Sequence, residues 1–265
     1  MIPLVRPSLS AELAGRLRDQ TDHLRSRSAN AATARRRWKN ATDDRSALRA
    51  RLQPMAAGIE RCMYCGDSLG TAIDHFEPIK LAPLRAFDWL NHFLACDYCN
   101  SNAKRAEYPC DPLTGECLLI DPSVEDPHDH LQLLLGTGRY RARTPKGKAT
   151  IRTFRLDRWQ LERARQDGFQ RCQDMLRGYA RSLTRGEHQR AHGQAQALLR
   201  QPHADVLYAM VRALGSPGIS TLIDGDIIEI LRTHFAVPPL WSSVSERTRA
   251  LPHDCGTRPT DRPRT

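Results

Sequence analysis

The chain has 265 residues, 40% hydrophobic, only 6% aromatic and 26% charged, with 40 Lys and Arg against 30 Asp and Glu for a formal net charge of +10. That length supports one large or two small domains with a real core, and so few aromatics make helix, not an all-β core, the main expectation. Pro3, Arg6 and Pro7 break the first apolar residues, and no later run reaches the roughly 18 apolar residues of a membrane span, so a membrane class is excluded and a cytoplasmic protein is expected.

Residues 9 to 52 read as helical, opening on Ser10 as a cap and ending with Leu48 and Leu52 four apart on one face. Within them "RRRW" at 35 to 38 either grips phosphate or forms the wet face of a helix with Trp38 turned inward, the second being favoured. Residues 62 to 135 are irregular, with turn chemistry at Gly66, Pro78, Pro83, "YPCDPLTG" and "DPSVEDP". From 136 to 155 alternating character around Pro-Lys-Gly predicts a hairpin. Helices are then expected over 157–182, 187–200, 203–214 and 219–235. The first places Leu161, Cys172 and Leu176 at helical spacing with arginines on the other positions.

These features divide the chain into a basic helical N-terminal region (1–61), an acidic turn-rich segment (62–135), a basic hairpin and helical region (136–245) and a disordered tail (246–265). Lys and Arg number 13 against 6 Asp and Glu in the first, and 4 against 12 in the second; residues 136 to 200 carry 16 against 5. Basic flanks suit a polyanion, while an acidic centre suits a cation site.

Cys62, Cys65, Cys96 and Cys99 form two Cys-x2-Cys pairs separated by 30 residues. Each pair places two thiolates about a tight turn, and the two together complete a tetrahedral Zn²⁺ shell with no open position, a structural site. In a reducing compartment the eight cysteines read as metal ligands and buried thiols, not a disulfide framework. Between the pairs lies "DHFEPIK", then "FDWLNHFLACDYCNSNAK". Asp74-His75, Asn91 and Asn100, set around these cysteines, resemble the HNH nuclease family with its zinc-pinned treble-clef ββα-metal fold.

That resemblance implies an α+β fold in which residues 62–135 are the HNH core, flanked by mostly α-helical regions. A first strand would end near Asp74-His75, a second would contain Asn91, and a helix starting at the second Cys pair would carry Asn100. It further implies His75 as general base, Asn91 as the residue that ties the loop and orients the imidazole, and Asp74 with Asn100 as ligands of a catalytic Mg²⁺ or Mn²⁺. By the period of two along a strand, Asp74 points away from His75 unless the strand ends there. Lys104 and Arg105 are either backbone contacts to nucleic acid or solvated, His128 and His130 belong to a loop, and His92 is a second base candidate if the strand register slips.

"HFEPIK", Tyr108-Pro109 and "LLIDPSVEDPHDHL" extend the similarity over roughly residues 43 to 165, towards the PtuB branch, the nuclease subunits of Septu-type and some retron anti-phage systems. The branch implies a nucleic-acid substrate, DNA ahead of RNA, and an ABC-type ATPase partner (PtuA-like). Glu77 stands where that branch more often has Arg, which makes the pocket more acidic. The rival classes are a zinc-stabilised nucleic-acid or protein-binding adaptor without catalysis, and an HNH nuclease of a restriction or mobile-element system.

Overall fold

A computed structural model describes residues 1–235; the expected tail over 246–265 lies outside them. The N-terminal region is three helices where one helical stretch was expected: α1 (Ala11–Ser26), α2 (Ala31–Asn40) and α3 (Thr42–Leu52). Ser10 caps α1 by accepting from the Leu13 amide. The break before α2 comes from a second cap, because the Asn30 side chain accepts from Ala32 and Thr33 and so fills donors that a helix start leaves open. Leu13, Leu17, Leu24, Ala34 and Leu48 bury themselves against Ile79, Ala86 and Phe87. The N-terminal helices therefore cover the loop that follows the first strand.

That strand, β1 (Ala72–His75), pairs antiparallel with β2 (His92–Ala95), in a register that sets Asp74 opposite Phe93 and His75 opposite His92. Asn91 is not in the second strand, contrary to expectation. It ends the short 3-10 turn Trp89–Asn91 immediately before it. A seven-residue π-helical segment, Tyr98–Lys104, follows the ladder and carries Asn100. The core here gathers Leu52, Tyr64, Phe76, Phe93, Leu119, Phe154 and Leu161 with the four paired cysteines.

A second hairpin joins β3 (Leu131–Leu134) to β4 (Arg139–Ala142) after the single turn α4 (Pro127–His130). The expected hairpin thus lies earlier than predicted. Pro-Lys-Gly is not its turn but the first turn of α5 (Pro145–Phe154), since Thr144 accepts from the Gly147 amide and Pro145 fits a first helical position that needs no N–H. Gly147 is required there by close approach: a Cβ would fall 2.0 Å from the His130 carbonyl oxygen.

The C-terminal region is helical as expected, with α6 (Trp159–Thr184), α7 (His188–Arg200), α8 (Ala204–Arg212) and α9 (Gly225–His234). The last begins later than predicted, because Ile219–Thr221 makes a separate 3-10 turn. Phe169, Cys172, Leu176, Leu207, Met210 and Leu231 are among the residues of its core. Buried Asp205 ties the regions together, binding the Met1 ammonium at 3.1 Å, the Arg165 guanidinium at 3.2 Å and the Tyr140 hydroxyl at 2.5 Å. The result is a mixture of helices and two small sheets, and among the described residues no helix is long and apolar enough to cross a membrane.

Candidate metal centre and active site

The two Cys-x2-Cys turns meet. The sulfurs of Cys62, Cys65, Cys96 and Cys99 all lie within 4.8 Å of one another and all four residues are buried. A tetrahedron with Zn–S near 2.3 Å requires sulfurs about 3.8 Å apart, and Cys65 Sγ stands 3.9 Å from Cys96 Sγ. In the first turn the Gly66 amide donates to the Cys62 carbonyl at 2.9 Å, a closure that needs the positive φ of 69° at Gly66. In the second turn the Cys99 amide points at Cys96 Sγ, 3.4 Å away. These donors and spacings fit zinc. Of the remaining cysteines, Cys117 and Cys172 are buried free thiols, while Cys110 is disulfide-bonded, against the expectation of an ordinary thiol.

His75 ends β1 half-buried, and its Nε2 lies 3.0 Å from the Ala86 carbonyl oxygen. A carbonyl only accepts, so Nε2 carries the proton and Nδ1 holds the free lone pair. Burial pushes the pKa of His75 down to about 4, so the ring is neutral near pH 7 and able to take a proton.

Asn91 does not touch the imidazole. It is fully buried and binds the loop that carries Ala86: its Oδ1 accepts from the Glu77 amide at 2.7 Å, and its Nδ2 donates to the carbonyls of Glu77 at 3.0 Å and Arg85 at 3.1 Å. The Arg85 carbonyl is one residue from the acceptor of His75. Asn91 therefore ties down the loop that supplies the acceptor of His75.

His92, the cross-strand partner of His75, also reaches the Ala86 oxygen with Nε2, at 3.1 Å. It is fully buried and its Nδ1 has no hydrogen-bond partner among the described residues. No register slip occurs, so His92 supports the first ring from behind and has no path to solvent. Trp38 turns inward, as favoured, and meets both rings: its centroid is 4.6 Å from that of His75, edge-on, and 5.0 Å from that of His92, stacked.

Asp74 faces the interior, opposite to His75, as the period of the strand predicts. Its Oδ2 accepts from the Tyr64 hydroxyl at 2.6 Å and its Oδ1 from Lys104 Nζ at 3.1 Å. Lys104 is fully buried and also donates to the His75 carbonyl at 2.7 Å. It is neither solvated nor a surface contact for a polyanion; Arg105 is exposed. Asn100 is half-buried on the π-helical segment, directly after Cys99.

Glu77 pairs with Arg85 at 2.6 Å, a cation that it shares with Asp88 at 2.9 Å. His128 and His130 lie on the single turn α4 and not in a loop, with His130 held by Thr144 at 2.8 Å and Glu125 at 3.0 Å. Among the described residues the four cysteines are the one cluster of three or more His, Cys, Asp or Glu side chains that could hold a metal. Two participants escaped sequence reasoning. Tyr64 sits inside the first Cys pair with nothing local to reveal that it reaches Asp74. Lys104 was visible as a lysine four residues past Asn100, but its burial became evident only with Asp74 needing a counter-charge.

No protein-family model matches the chain. It is similar to the Septu protein PtuB of Bacillus mycoides (strain KBAB4), with 25% identity over 134 residues, covering 40% of this chain and 45% of that protein. The chain thus spans less than half the length of that relative. The similarity to a Septu protein is distant, and the four buried cysteines could hold a zinc ion.

Proposed function

We propose that the chain is a metal-dependent HNH endonuclease with a zinc-pinned treble-clef core, hydrolysing phosphodiester bonds in nucleic acid as the effector of an anti-phage defence system. The observation that carries this reading is the bond from His75 Nε2 to the Ala86 carbonyl, in a loop tied down by Asn91. It fixes the tautomer and leaves Nδ1 to take a proton from water as that water attacks phosphorus. Asn91 is a positioning residue, and the cysteine-held zinc is scaffold.

Asp74 and the amide oxygen of Asn100 are the hard-oxygen donors for Mg²⁺ or Mn²⁺. The support for this is the chemistry of the two donors, a carboxylate and an amide oxygen; against it, Asp74 is buried and each of its oxygens already accepts a hydrogen bond, from Tyr64 and from Lys104. A bound divalent ion would offset the charge that develops on the leaving oxygen. Lys104 already offsets the charge of Asp74 from within the protein, and this one observation also favours the rival reading of a binding adaptor without catalysis.

By similarity to PtuB, an ABC-type ATPase (PtuA-like) is the proposed partner, and the chain alone is a weak nuclease whose activity falls with salt. The test is incubation of the purified chain with plasmid DNA and with structured RNA, with Mg²⁺ or Mn²⁺ and with EDTA. Nicking of DNA that requires the divalent ion supports the enzyme; binding without cleavage, with either ion and with the ATPase added, supports the adaptor.

A further inference from the structure

We infer that Trp38, on helix α2 and outside the HNH-like motif, is a positioning residue for His75, so that the N-terminal helical region completes the active site. This rests on the reading of His75 as the base. The bond to Ala86 is the one hydrogen bond of the His75 side chain among the described residues. A single bond fixes one ring atom and leaves the ring free to rock about the N···O axis, which would sweep Nδ1 through an arc.

Ring contacts supply the missing restraint. Trp38 meets His75 at 4.6 Å with planes 76° apart, and His92 meets it at 4.8 Å and 71°. Trp38 in turn stacks on His92 at 5.0 Å and 15°, and packs edge-on against Phe87 at 5.5 Å, the residue after Ala86. The indole therefore touches the base, the ring behind it and the loop holding the acceptor of both. Arg45 on α3 lies over the indole, 5.8 Å from the ring centroid, and its Nη1 donates to the Lys39 carbonyl, which joins α3 to the end of α2.

A purely packing role fits this arrangement less well. In α2, "AATARRRWKN", Trp38 is the single large apolar residue. Trp38 packs against the cluster that holds Leu13, Leu17, Leu24 and Leu48, yet it stays half-buried and turns its ring onto two imidazoles and Phe87, contacts that anchoring the helix does not by itself require.

The experiment uses the full chain carrying Trp38→Phe, Trp38→Leu and Trp38→Ala. It reads the hydrogen-bonded Nε2–H signal of His75 by NMR, assigned by its loss in His75→Ala, and separately kcat and KM for plasmid nicking with Mn²⁺. Trp38→Phe should keep the signal and most of the rate. Trp38→Leu, which keeps an apolar side chain at the position but removes the ring, should lose or broaden the signal and lower kcat by roughly 100-fold, the cost of an ångström-scale misplacement, while KM moves less than twofold. Trp38→Ala should do the same where it folds. A Trp38→Leu protein with the signal sharp and kcat unchanged overturns the inference. If the wild type cleaves nothing even with the ATPase added, the nuclease reading fails, and the NMR signal alone still decides whether Trp38 holds the ring.

Discussion

His75 and His92 face each other across the β1–β2 ladder and bring their Nε2 atoms to 3.0 and 3.1 Å from a single oxygen, the carbonyl of Ala86. A carbonyl has two lone pairs, so it can satisfy both rings. What separates them is burial. His92 is sealed, whereas His75 retains exposure and a free Nδ1. On the proposed reading, two side chains of identical chemistry divide into a support and a base, and the predictions below follow from how each is held.

Asn91→Ala should cost about 1–3 kcal/mol, because it leaves the buried Glu77 amide without its acceptor and two loop carbonyls without a donor. Activity should fall further than stability accounts for, since the loop carries the acceptor of His75. Urea unfolding together with cleavage rates at 20 °C checks this; a stable variant with wild-type kcat would show that the loop does not set the ring.

Lys104→Met should destabilise the fold by roughly 3–5 kcal/mol, because it strands the Asp74 carboxylate in the interior. Adding Asp74→Asn should restore much of that loss. A double-mutant cycle in chemical denaturation measures the coupling, and additive losses would mean that the pair does not exist in solution.

Cys62→Ser should lose bound zinc and at least several kcal/mol of stability together, since a structural site contributes its binding energy to folding. Metal analysis and thermal melting read both. Retained zinc with an unchanged melting temperature would contradict the scaffold.

Acid should destabilise the protein earlier than its carboxylates alone would. Burial lowers the pKa of both His75, to about 4, and His92. Between the unfolded value near 6.5 and the folded values, the unfolded chain binds protons that the native state refuses. Stability from this source is therefore complete above about pH 6.5 and is lost as pH falls towards 4; His75 alone accounts for roughly 2–3 kcal/mol. The acid limb of kcat/KM should likewise sit well below pH 6. Melting temperature and rate followed from pH 4.5 to 8 test both parts, and a melting temperature that is flat from 4.5 to 6.5 would contradict them.

Much of the zinc centre was legible because thiols at Cys-x2-Cys spacing have few other uses, and the cysteine sulfurs converge as that spacing implies. The place of His75 at the end of a strand was legible only through the resemblance, since Ala72 and Ile73 are the sole apolar residues between Gly70 and His75. The hairpin was placed too late because Thr-Pro at 144 and 145 reads equally as a turn and as a helix start, and only the close approach of Gly147 to His130 decides between them. Trp38 lay beyond local reading altogether. Its partners are 37 and 54 residues away along the chain, and helix periodicity reveals that a side chain turns inward but not what it meets. The pairing of Glu77 with Arg85 was out of reach for the same reason, since Arg85 belongs to a loop whose path the sequence does not state.

The most direct measurement is cleavage of plasmid DNA by His75→Ala in the presence of Mg²⁺ or Mn²⁺, with zinc content and melting temperature recorded on the same preparation. Removing a general base costs about 10²–10⁴-fold in rate, so nicking should fall by at least 100-fold while one zinc per chain is retained. Nicking at the wild-type rate by a zinc-loaded, folded His75→Ala protein would contradict the account.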